Sequence, residues 1–90
     1  GERETTQLAD GYRARAESFS RTAQTLKGMP QERDYLSRAS DAFREALTRY
    51  GTVAGFANVA QSLRDTQRRL DRVEERLAEL SKFEGGWTWE

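Results

Sequence analysis

The sequence predicts an all-α fold, an up-down-up three-helix bundle whose long third helix is heptad-patterned and coiled-coil-like. Three observations predict it. Between Phe56 and Leu80, apolar or small residues recur at alternating steps of three and four, through Phe56, Val59, Leu63, Thr66, Leu70, Val73, Leu77 and Leu80. That is the a and d pattern of a helix laying one narrow stripe against others. Two glycine-centred breaks, Gly28-Met29-Pro30 and Tyr50-Gly51-Thr52, divide the 90 residues into three periodic segments. The composition, 36% hydrophobic and 33% charged with a single proline, suits solvated amphipathic helices better than a sheet.

The first helix is read over about residues 5–27. Thr5 or Thr6, with Asp10 as the alternative, supplies its cap, because a side-chain oxygen there accepts bonds from the free amides of the first turn. Its inward positions are Ala9, Tyr12, Ala16, Phe19, Ala23 and Leu26. Three alanines among these sites predict close approach to a neighbouring helix. Gly11 weakens the first turns, since glycine costs roughly 1 kcal/mol against alanine inside a helix.

Gly28 suits the left-handed position after a helix and Pro30 the first turn of the next. The second helix then covers about residues 30–50. Leu36, Ala39, Phe43, Ala46, Leu47 and Tyr50 form its inner face, and the pairs Asp34–Arg38 and Glu45–Arg49 stand at i,i+4 outside. Gly51 ends it and Thr52 caps a third helix of about residues 52–83, which Gly85-Gly86 terminates. The domain is thus residues 1–84, followed by a tail, 85–90, that holds Trp87 and Trp89.

Short connections make consecutive helices antiparallel. At about 1.5 Å per residue the three helices measure roughly 35, 30 and 48 Å, so the third outruns the bundle beyond about Arg72. The overhang carries Val73, Leu77, Leu80 and Phe83, an adhesive stripe if left in water. In a parallel dimer, Arg69 at a g position would face Glu74 at e of the second copy. Trp87 and Trp89 alternate in a strand-like way, with both indoles on one side, either as a lid on the overhang or as an insert into a partner.

Lysine plus arginine balances aspartate plus glutamate at 15 each, so the chain as a whole is not drawn to nucleic acid or to an anionic membrane. One local exception is a ridge of Arg64, Arg68, Arg72 and Arg76 at four-residue steps, which could contact phosphates. Interleaved Asp65, Asp71, Glu74, Glu75 and Glu79 oppose that reading. No window approaches the ~20 continuous apolar residues of a membrane span, so no membrane partner is expected. Cysteine is absent, which fits a reducing compartment and an expected cytoplasmic location. Thirteen arginines against two lysines fit a bacterial origin.

No catalytic residue, cofactor or metal ligand is assigned. Histidine is absent, which removes the commonest metal ligand and the usual acid–base group near neutral pH. No glycine-rich phosphate loop is present, and nothing singles out one carboxylate among fifteen. The reading is therefore a non-enzymatic protein-interaction or oligomerisation domain, its partner another helical protein or a second copy in a homo-oligomer. Its contact residues would be Val73, Leu77, Leu80, Phe83, Trp87 and Trp89. The alternative is a small helical nucleic-acid-binding domain that uses the arginine ridge.

Overall fold

The computed structural model describes residues 1–86, apart from the side chains of Ala57 and of residues 84–86. Among them are three helices, α1 (Glu2–Thr25), α2 (Glu32–Gly51) and α3 (Ala57–Gly86). α1 packs on α2 and α2 on α3, as the sequence predicts for an all-α three-helix bundle. Contacts across the bundle fix the directions. Tyr50, near the end of α2, bonds Asp10 early in α1, and Glu32, at the start of α2, meets Arg76 late in α3. The assembly is a rod with extents of 56 × 20 × 15 Å. Its radius of gyration is 15.1 Å, against about 12 Å for a compact domain of this length.

α1 starts earlier than Thr5. Gly1 is the N-cap, its amino group bonds the Glu4 carboxylate, and Glu2 and Glu4 supply the negative charge that a helix start favours. Thr5 and Thr6 are not caps. Their hydroxyls donate back to the carbonyls of Gly1 at 3.1 Å and Glu2 at 2.8 Å, which keeps them inside the helix. Asp10 is also helical, and its carboxylate is taken by Tyr50.

Gly28 adopts the left-handed conformation the sequence predicts, with φ of 85°. Pro30, however, lies in the turn and not in the first turn of α2, which begins at Glu32 with Gln31 as N-cap. The turn is closed from ahead, because the Gly28 amide donates to Glu32 Oε1 at 2.9 Å.

The largest departure is at the start of α3. Thr52 does not cap it. The Thr52 hydroxyl and amide both donate to the Arg49 carbonyl, at 2.8 and 3.2 Å, and so close α2. Val53 then turns into the core, and the connection runs through Phe56, which is half exposed and outside the helix. At the other end the helix continues through Gly85 and Gly86, since glycine weakens a helix without forbidding its backbone conformation.

Two core clusters share the rod. Ala9, Ala46, Tyr50, Val53 and Val59 fill one, with Tyr12 and Leu63 packed against it. Ala16, Ala23, Leu36, Phe43, Leu70 and Val73 belong to the other, with Ala39 and Ala42. Alanines recur every seventh residue at Ala9, Ala16 and Ala23 in α1 and at Ala39 and Ala46 in α2, and all five are buried. Side chains this short let the two backbones approach closely. α3 presents larger residues, and the one buried polar side chain among its described residues, Thr66, donates its hydroxyl to the Ser62 carbonyl at 2.7 Å. α1 and α3 both lie on α2 and barely touch each other.

Candidate interaction surface

The later start of α3 changes what its C-terminal half can offer. Val73 is 4% exposed and sits in the core with Leu36 and Phe43. Leu77 and Leu80 are partly buried against the same cluster. The overhang expected beyond Arg72 therefore begins only after Leu80, and among the described residues it displays Phe83, 59% exposed. Trp87 and Trp89 lie outside the described residues. The charges that the sequence offered to a dimer seam are used within the chain. Arg69 bonds Glu17 of α1 at 3.1 Å, and Glu74 pairs with Arg44 of α2.

The arginine ridge is likewise broken up. Arg64 bonds Gln61 at 2.9 Å, and Arg68 pairs with Asp65. The Asp65 carboxyl is held below its ordinary range by the Gln61 amide and then by Arg68. Arg76 turns inward to Glu32. Only Arg72 of the four makes no hydrogen bond or ion pair among the described residues.

Glu32 is a residue that the sequence reading passed over. Its side chain is 4% exposed, and Oε2 accepts from Arg76 Nε at 2.7 Å while Oε1 accepts from Arg76 Nη2 at 3.0 Å and from the Gly28 amide. This two-pronged geometry suits a planar guanidinium and a carboxylate. The Arg76 bonds hold Glu32 below the ordinary carboxylate range, with the Gly28 amide adding to them, against the opposing effect of burial. Arg76 is correspondingly raised. One ion pair thus joins the α1–α2 turn, the head of α2 and the flank of α3. Stepping back seven from Ala39 along the inner face reaches Glu32, so the heptad spacing held the signal.

At the opposite end Tyr50 is fully buried and donates its hydroxyl to Asp10. Burial, and then that bond, push the phenol up to about 12.

Because α1 is drawn onto α2 by its alanines and meets α3 at few points, a groove of about 330 Å³ runs between α1 and α3. Its floor is Ala23, Leu36, Phe43 and Val73. Its rim carries Arg21, Lys27, Arg69, Arg72 and Arg76, with Glu17 and Glu32 among them. Among the described residues no cluster of acidic side chains could hold a metal ion, and no helix is long and apolar enough to cross a membrane. No protein-family model matches the chain, and neither a curated protein nor a solved structure matches it.

Proposed function

We propose that this chain is a non-enzymatic protein-interaction domain that self-associates, or binds another helical protein, through the C-terminal end of α3. The observation that carries the reading is the continuation of the core stripe past the bundle. Leu77 and Leu80 are partly covered and Phe83, three residues on, is open to water. A helix end with that gradient gains by laying its stripe against another helix. Burying one phenylalanine from each of two copies contributes roughly 3–6 kcal/mol, while association costs at least about 4 kcal/mol. Self-association through so small a patch is therefore weak and concentration-dependent.

The nucleic-acid reading has less support, because Arg64, Arg68 and Arg76 are engaged within the chain. The test of the main reading is light scattering between about 10 µM and 1 mM protein, a range that brackets such affinities. The mass should rise with concentration, and Phe83→Glu should return it to that of one chain without loss of helicity, since Phe83 lies outside both core clusters. A strict monomer up to the highest concentration would refute self-association.

A further inference from the structure

The groove between α1 and α3 concentrates positive charge in a chain whose net charge is zero. Elsewhere many of the arginines are matched locally, as in Arg38 with Asp34, Arg49 with Glu45 and Arg68 with Asp65. Around the groove the matching stops. Five cations line it against two carboxylates, a local excess of three. Glu17 is engaged by Arg69 and Glu32 by Arg76. That leaves the side chains of Arg21 and Arg72 with no hydrogen bond or ion pair among the described residues, while Lys27 has only a through-space attraction to Glu32.

These three come from both walls. Arg21 lies on α1 and Lys27 in the turn after it, whereas Arg72 lies on α3. Like charges set around a cleft repel one another, and low-dielectric walls focus their field into it. The nearly covered floor of Leu36, Phe43 and Val73 supplies such a wall. Ser20 and Gln24 bring neutral donors to the same rim.

We infer that this groove is a binding site for a small organic polyanion carrying two or more phosphate groups, held by Arg21, Lys27 and Arg72. Its volume of about 330 Å³ lies at the low end of small-molecule sites. Along α3 the rim from Arg69 to Arg76 covers about 10 Å, the length of a short phosphate chain and too little for a docked helix of several turns. Guanidinium forks fit phosphate oxygens in pairs, and the lysine adds a point charge. With so little apolar surface left open on the floor, charge carries the binding. The inference stands apart from self-association, which uses the far end of α3.

The test is calorimetric titration of the intact chain with inorganic tripolyphosphate at about 50 and 150 mM salt, conditions that separate screened from unscreened attraction. Saturable one-to-one binding should weaken several-fold at the higher salt, because phosphate contacts release counterions. The double variant Arg21→Gln, Arg72→Gln should bind at least about tenfold more weakly, while Arg3→Gln, Arg15→Gln, with the same charge change outside the groove, should stay within about twofold. All four positions are exposed, and circular dichroism checks that both variants fold. Absent binding at low salt, or equal loss in both variants, would overturn the inference. So would a twelve-residue oligothymidylate that binds more than about tenfold tighter than tripolyphosphate, since the site would then belong to nucleic acid. Phe83→Glu leaves the groove intact, so this outcome and the light-scattering outcome are read separately.

Discussion

Replacing Glu32 by glutamine keeps the size and shape of the side chain while removing its charge, and this isolates what the ion pair with Arg76 contributes. The carboxylate is 4% exposed and accepts two bonds from Arg76 and one from the Gly28 amide. Bonds to a charged group contribute about 1.5–3 kcal/mol each, and an amide oxygen retains part of them. The expected loss is therefore about 2 kcal/mol, out of the roughly 5–13 kcal/mol that a chain of this length commands. For a domain of this size that is a fall in Tm of about 8–16 °C.

The pH dependence sharpens the test. Because Glu32 is held below its ordinary range, its contribution is fully present above the unfolded value of about 4.3 and is lost as pH falls through the lower folded value. Thermal melts by circular dichroism should show the full gap between wild type and Glu32→Gln near pH 7. The gap should narrow as pH falls below the ordinary carboxylate range and the carboxyl in the wild type protonates. A gap below about 4 °C at neutral pH, or one that persists unchanged in acid, would refute the reasoning.

Two further outcomes follow from the same geometry. Tyr50 has its phenol pushed up to about 12, so its contribution is intact below about pH 10 and is lost as pH rises through the folded value; two units correspond to about 3 kcal/mol. Denaturant melts should show wild type losing that much more than Tyr50→Phe over this range, and parallel pH profiles would contradict it. Gly11 is helical and exposed, and a Cβ there would meet nothing within 4 Å. Gly11→Ala should stabilise by up to about 1 kcal/mol, or raise Tm by about 4–8 °C, and an unchanged or lower Tm would count against a continuous α1.

What could be read from the sequence was what repeats locally. The inner faces of all three helices, the alanine approach of α1 to α2 and the left-handed Gly28 are properties of a few neighbouring residues. The start of α3 is not. Thr52 has the chemistry to close one helix or to open the next, and the inward turn of Val53, a tertiary event, decides for closing. That choice moved the register of α3 and drew Val73 and Leu77 out of the expected overhang. The breakup of the arginine ridge has a similar cause, since Glu32 lies 44 residues away from Arg76 in the chain. The groove was hidden for a different reason. It exists because two helices touch at only a few points, and a pattern along one chain marks contacts more readily than gaps.

That sparse contact also shapes how the molecule comes apart. α1 and α3 each depend on α2 and hardly on each other, so the domain behaves as a sealed hairpin with a splint laid along it. The hairpin seam of buried alanines can persist while the splint lifts, once Arg76 releases Glu32 and the Leu70–Val73 region leaves the core. In hydrogen-exchange terms the amides of α3 then report a partial opening, whereas those around Ala16 and Ala39 wait for the whole chain to unfold. The expected order is release of α3 first and opening of the α1–α2 hairpin last.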